Sequence, residues 1–300
     1  MIQMREVGPR DGIQSLGAFI DTAHKVELVD ALSTTGLQRI EATSFVNPKA
    51  VPQMADATDV MRGIQRRPGV RYEALVPNVR GARDALAAQV DAILVVVTAS
   101  ELFNQKNVRM SVDDSLRQFA EVKQLANAAG TPCIGAIGTA FGCPYEGDIS
   151  EERLVGLIAR FASLGFTEVM LADTTGMANP LQIERTMTRV LDRWSGKLHF
   201  GLHLHNTRGM GLANVVAGVR AGVELFDASV AGIGGCPFAP QAAGNISTED
   251  TVHMLHEMGY PTGVDLDRLI EVAQLAQRML GKELPGQVMK AGPRGVLAQV

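Results

Sequence analysis

Apolar and polar positions along this chain alternate between two periods. Short apolar runs, alternating or unbroken, are each followed by a longer stretch in which apolar residues return every three to four positions; these are the patterns of strands and amphipathic helices. Strands are predicted over residues 1–7, 37–45, 70–76, 92–98, 133–139, 168–172 and 225–230, with a seventh in chain order running from Lys197 into His203-Leu204-His205. Helices are predicted over 22–35, 52–66, 80–88, 113–129, 150–164, 180–194, 212–221 and 248–258, and a further one over 266–280. Gly36, Gly130 and Gly165 mark helix ends, and Ser111, Ser150 and Ser247 are the expected N-caps. The core of the fourth strand, Ile93-Leu-Val-Val-Val97, has no polar alternation, as expected for a parallel strand covered on both faces.

Eight strand–helix alternations with short connections predict an α/β fold, a (β/α)8 TIM barrel, with an open doubly wound sheet as the alternative. Closure is favoured because each unusual polar residue falls at or just after a strand, which on a barrel is one common rim. The expected organisation is one domain over 1–300: the barrel over about 2–260, then the extra helix and a Gly/Pro-containing tail over 261–300. That tail has three possible uses at this level: covering the barrel, joining two copies, or partial disorder.

Composition changes the picture little. Hydrophobic residues make up 46% and charged ones 20%, with 28 Lys+Arg against 32 Asp+Glu and a formal charge of −4, so a general nucleic-acid surface is not expected. Three cysteines, Cys133, Cys143 and Cys236, are too few and too odd for a disulfide framework. Cys133 in mid-strand reads as a packing thiol, Cys143 is undecided, and Cys236, preceded by two glycines in a loop, reads as a reactive one. No membrane segment or leader is read from the pattern, so a cytoplasmic protein is expected.

The candidate chemistry centres on His203-Leu204-His205. In a strand, residues i and i+2 share a face, so the two imidazoles point the same way; a pair of ordinary barrel-facing histidines is the alternative on that motif alone. The other rim candidates are Arg10, Asp11, Glu41, Asp173, Cys236 and Asn245. Strands one, seven and eight adjoin in a closed barrel, which allows Asp11, His203, His205 and Asn245 to converge. One carboxylate, two imidazoles and one amide without thiolate suit an octahedral Mg²⁺ or Mn²⁺ better than structural zinc. Taken singly, Asp11 as turn former, Asn245 as helix-entry residue and Asp173 as loop cap are equally good readings. Asn104 and Lys106 are predicted in a loop over 104–109, where they offer amide and basic groups to phosphates or form an ordinary solvated charged loop.

Several segments together resemble the 3-hydroxy-3-methylglutaryl-CoA lyases, members of a metal-dependent barrel superfamily. They are Val7-Gly-Pro-Arg-Asp-Gly12, Ile40-Glu-Ala-Thr-Ser-Phe-Val46 with Pro52-Gln-Met54, Ala99-Ser-Glu-Leu-Phe103, Gly142-Cys-Pro-Tyr-Glu-Gly147, His203-x-His205, and Gly234-Gly-Cys-Pro-Phe238 with Gly244-Asn245. The resemblance covers essentially residues 2–280. It implies that Asp11, His203, His205 and Asn245 hold the divalent cation, that Arg10 contacts an acyl-CoA, and that Glu41, Asp173, His203 and Cys236 are catalytic or supporting. It also implies an acyl-CoA substrate; a homo-oligomer is expected, and composition and the apolar pattern lead to no expected nucleic-acid or membrane partner.

The chain departs from that pattern in places. It reads His203-Leu-His-Asn-Thr-Arg-Gly209 where such lyases usually read His-Cys-His-Asp-Thr-Tyr-Gly, Gln241 where they generally have glycine, and Ser15-Leu16-Gly17 in place of Asn-Glu-Lys. Arg208 is therefore a candidate substrate-binding residue that bears on the acyl group. The implied reaction is retro-Claisen cleavage of a 3-hydroxy-3-methylacyl-CoA. A lyase for citramalyl-CoA or methylmalyl-CoA, a condensing synthase, and a non-catalytic acyl-CoA-binding barrel are the alternatives in descending order.

Overall fold

The structure is a computed structural model that describes residues 1–235 and 244–295. Eight parallel strands close into a barrel in sequence order, which excludes the open sheet. They are β1 (Gln3–Glu6), β2 (Arg39–Ser44), β3 (Arg71–Leu75), β4 (Ala92–Thr98), β5 (Cys133–Gly138), β6 (Glu168–Asp173), β7 (His199–Leu204) and β8 (Leu225–Ala228). The helices outside are α1 (Thr22–Leu32), α2 (Ala57–Gly63), α3 (Val79–Ala87), α4 (Glu101–Val108), α5 (Val112–Ala128), α6 (Glu151–Ser163), α7 (Pro180–Trp194), α8 (Gly211–Ala221), α9 (Thr248–Glu257), α10 (Leu266–Leu280) and α11 (Val288–Ala291). Among the described residues no helix is long and apolar enough to cross a membrane.

Strand alternation divides each strand between two environments. Outward residues such as Ile40, Ile93, Val95, Val169, Leu202 and Phe226 join the helices in one large apolar layer. Inward residues form a second, smaller cluster of Ala92, Leu94, Ile134, Ala136, Met170 and Leu225. That inner cluster lies on the β4–β6 side with Leu225, and Leu75 of β3 packs against it. On the β1–β3 side the inward positions are Arg5, Arg39, Glu41 and Glu73, all buried.

Local chemistry starts the helices as expected: Ser111, Ser150 and Ser247 accept from the backbone N–H three residues on. Four expectations need correction. The helix predicted over 52–66 is a short 3-10 turn, Pro52–Met54, followed by α2, because Pro52 starts a turn and the chain resumes helix only at Ala57. The helix predicted over 22–35 ends at Leu32, where Ser33, Thr34 and Thr35 hydroxyls turn back onto the carbonyls of Val29, Ala31 and Leu32. His205 is not inside β7; it follows the strand and makes an isolated antiparallel bridge with Asn245.

The fourth correction is the predicted loop over 104–109, most of which belongs to α4. Ser100 caps α4 by accepting from Phe103 N, and Arg109 closes it in the left-handed region at φ 57°. Beyond α10, Leu284 and Met289 are buried and Gly286 N donates to Ala231 O at 3.1 Å, so this part of the tail packs beneath the turn that follows β8.

Candidate active site

The end of β1 places the first functional pair. Gly8–Gly12 forms a single π-helical turn in which the N–H groups of Arg10 and Asp11 both reach Val7 O, at 3.2 and 2.7 Å. Gly8 is required there: a Cβ would lie 2.7 Å from Glu6 Oε1, the atom that accepts the Gly8 N–H. Arg10 is nearly buried and its guanidinium is clamped on two sides. Nη1 donates to Asp11 Oδ1 at 2.6 Å and Nη2 to Glu41 Oε2 at 2.8 Å. The β2–β3 register slips between Glu41 and Thr43, a bulge beside the site that aims Glu41 at Arg10.

Across the barrel mouth stand the imidazoles. His203 Nε2 lies 3.1 Å from His205 Nε2 and 3.9 Å from Asp11 Oδ2. Asp11 Oδ2 also accepts from Asn245 Nδ2 at 2.8 Å. The ligand atoms of Asp11, His203 and His205 all fall within 4.8 Å of one another. His203 and Asp11 keep 12% and 19% side-chain exposure, so small ligands can reach an otherwise enclosed cluster.

A divalent cation fits this donor set. Asn245 Oδ1 is buried with no hydrogen-bond partner, an amide oxygen of the kind a cation would satisfy. Gly234 allows the approach of its loop, since at φ 148° a Cβ would stand 2.8 Å from Asn245 Nδ2. The electrostatics agree with a cation site. Burial works against charge on Asp11, but Arg10 and the two histidines hold its carboxyl well below the usual range. Burial also opposes charge on His203, yet its hydrogen bond to Asp227 and the nearby Asp11 raise its pKa. Burial lifts Glu41 against the pull of Arg10.

Asp173, at the end of β6, pairs by register with Leu204, one position past His203. Its Oδ1 accepts from Met177 N at 2.8 Å, and Ala178 N is shared between Oδ1 and Oδ2 at 3.1 and 3.2 Å. Burial raises its pKa to about 6 against those bonds and against the charges of His203 and Arg208. Arg208 is anchored to the same rim, with Nη1 donating to Thr175 O at 3.0 Å and Gly176 O at 2.8 Å.

Asn104 departs from its predicted role. Its Oδ1 accepts from Thr98 N, its Nδ2 donates to Met110 O and Ser115 Oγ, and its side chain is buried, so this amide ties α4 to β4 and α5 instead of facing a phosphate. Lys106 does stay outside, with its ammonium 5.0 Å from the Tyr145 ring centre. Cys236 and Gln241 lie outside the described residues.

Residues 1–276 match the HMGL-like family profile. The chain belongs to the HMGL-like family. It is 42% identical over 286 residues to the hydroxymethylglutaryl-CoA lyase YngG of Bacillus subtilis, covering 95% of each chain. It is also 42% identical over 294 residues to the mitochondrial hydroxymethylglutaryl-CoA lyase of Gallus gallus, covering 98% of each. Among solved structures, an HMG-CoA lyase from A. baumannii, in complex with coenzyme A and 3-methylmalate, superposes with a TM-score of 0.96 at 43% identity, covering 100% of this chain and 98% of that one.

Within this HMGL-like barrel the sequence reading missed Asp227 and Arg5. Asp227 Oδ2 lies 3.0 Å from His203 Nδ1, and Arg5 grips the same carboxylate from below. A signal was present: each is a charged residue inside an apolar strand run, as Glu41 is.

Proposed function

We propose that this chain cleaves 3-hydroxy-3-methylglutaryl-CoA between C2 and C3, yielding acetyl-CoA and acetoacetate, with Mg²⁺ or Mn²⁺ held by Asp11, His203, His205 and Asn245. The observation that carries the reading is the convergence of those donors at the C-terminal mouth of a barrel belonging to a lyase family. The coenzyme A in the A. baumannii lyase supports an acyl-CoA as the substrate class.

The retro-Claisen step balances without a co-reactant. The tertiary hydroxyl gives up its proton, the C2–C3 bond breaks to leave a ketone, and the thioester enolate takes a proton at carbon. A divalent cation, when bound, supplies Lewis acidity and a charge that orients oxygen ligands. Arg10, immobilised by Asp11 and Glu41, offers a fixed cation for the oxygen of the developing enolate. Of the candidates for the hydroxyl proton, Asp173 accepts from Met177 N and Ala178 N, and burial raises its pKa to about 6, within reach of a working general base. His203, with Nε2 given to the cation and Nδ1 at Asp227, has no lone pair left for that proton, so Asp11 and Asp173 are the acceptors to weigh. Cys236 remains assigned from sequence to enolate protonation. Arg208, pinned to Thr175 and Gly176, presents a cation to a substrate carboxylate, and Lys106 one to a coenzyme phosphate.

The test is a panel of acyl-CoA thioesters assayed with Mg²⁺ and with Mn²⁺ for released acetyl-CoA or propionyl-CoA. Acetyl-CoA and acetoacetate in equal amounts from 3-hydroxy-3-methylglutaryl-CoA is the expected result. Turnover of citramalyl-CoA or methylmalyl-CoA alone would move the substrate and keep the reaction class; cleavage of none would overturn the proposal.

A further inference from the structure

We propose that Asp227 is a positioning residue for His203 and that Arg5, locked inside the barrel, fixes Asp227 in turn. The inference rests on reading the donor cluster as a divalent-metal site. Register pairs Arg5 with Asp227 and Asp227 with His203, so the three side chains enter the barrel interior from adjacent strands β1, β8 and β7. Arg5 grips the carboxylate with both teeth of its fork: Nε to Oδ1 at 2.8 Å and Nη2 to Oδ2 at 2.6 Å. A bidentate grip sets the plane of a carboxylate as well as its place. The remaining Arg5 nitrogen, Nη1, donates to Glu73 Oε2 at 3.2 Å, and Glu73 is itself held by Arg39 and Arg71. Arg5 therefore cannot turn without breaking bonds to two strands.

The consequence falls on His203. An ionised carboxylate only accepts hydrogen bonds, so the 3.0 Å contact puts the imidazole hydrogen on Nδ1 and leaves Nε2 facing His205 and Asp11. Rotating the ring away would break this hydrogen bond and leave Asp227 Oδ2 with Arg5 Nη2 as its remaining partner. Arg5 and Asp227 are 1% and 2% exposed, so no bulk water stands ready to take over the bond. A role in packing alone does not account for the pair. Apolar residues fill the opposite wall, and a buried ion pair is a poor source of stability by comparison. What apolar residues cannot do is hold one imidazole tautomer.

The test compares metal-free wild type with Asp227→Asn, Arg5→Lys and Glu73→Gln. Three readouts apply: Mn²⁺ affinity by titration, the His203 tautomer by ¹⁵N NMR, and the melting temperature. Wild type, at a pH where His203 is neutral, is expected to carry hydrogen on Nδ1. Asp227→Asn is expected to mix the tautomers and weaken Mn²⁺ binding about 10- to 100-fold. Glu73→Gln is expected to lower the melting temperature while leaving tautomer and affinity near wild type.

Should Asp227→Asn not fold, Arg5→Lys decides; it keeps the charge and loses the fork, and a mixed tautomer is expected. Wild-type affinity and tautomer in Asp227→Asn, or in Arg5→Lys where that variant decides, would overturn the inference. Failure of wild type to bind Mn²⁺ would instead sink the metal reading, and the tautomer comparison would still decide the positioning role.

Discussion

The two walls of the barrel interior obey one strand pattern and carry opposite chemistry. On the β4–β6 side the inward positions are Leu94, Ile134, Ala136 and Met170, a dry cluster of the kind barrels use as filling. On the β1–β3 and β8 side they are Arg5, Arg39, Glu41, Glu73 and Asp227, cross-linked by Arg5–Asp227, Arg5–Glu73 and Arg39–Glu73 bonds. Desolvating that many charges is costly, and the mutual attraction offsets it only where every lone pair and N–H is met. The charged wall is also the one that ends at Arg10, Glu41 and His203. The apolar wall holds the barrel together; the ionic wall fixes angles at its mouth.

That contrast can be broken by experiment. His203→Ala should lose metal and lower turnover about 10²- to 10⁴-fold, read by metal analysis and the acyl-CoA assay. Turnover near wild type would separate the ionic wall from the chemistry. Glu73→Ala would leave Arg5 and Arg39, cross-strand partners, without their shared carboxylate. About 3–5 kcal/mol should vanish from urea unfolding. Met170→Ala on the other wall should cost about 2–5 kcal/mol through its cavity and leave Mn²⁺ affinity untouched. Equal effects of Asp227→Asn and Met170→Ala on Mn²⁺ affinity would erase the distinction between the walls.

A smaller, pH-linked effect involves Glu6 and Glu249, which hold the loops behind the site. Glu6 accepts from Gly8 N, Val230 N and Thr248 Oγ1, and Glu249 from Ala231 N. Burial lifts Glu6 to about 7 and Glu249 to about 8. Between the unfolded value of 4.5 and these values the native state keeps protons that the unfolded chain has released. Their share of stability is therefore complete below the unfolded pKa and falls as pH rises through 7 and 8, by up to about 1.4 kcal/mol per pH unit for each group. Glu249→Gln should flatten that slope in urea unfolding measured from pH 5 to 8. Smallest of all, Arg208→Ala should raise KM several-fold with kcat little changed.

Much of this was legible before any coordinates. Helices 180–194 and 266–280 coincide with α7 and α10, and strand 92–98 with β4, because long amphipathic stripes and unbroken apolar runs leave little competition. The helix α4 escaped because only Phe103 and Asn104 of it are buried; eight residues with two inward positions show no stripe. Asn104 was misjudged for a related reason, since an amide that bonds Thr98, Met110 and Ser115 looks in sequence like any loop amide. Glu41 drew attention as a charge in a strand, whereas Arg5 and Asp227 did not, although all three follow the same rule.

By itself the sequence determined the period of each element, the count of strands, which residues share a face, and the pair of imidazoles at one strand end, because these depend on neighbours within a few positions. The tertiary structure alone decided who stands across the barrel from whom. Closure pairs β1 with β8, and only then does Asp227 meet both Arg5 and His203, and Asn245 reach Asp11 across 234 positions of chain. Alternation dictates the side on which a charge must lie. The partner that makes it affordable to bury comes from strand register, a property of the closed sheet and of no single segment.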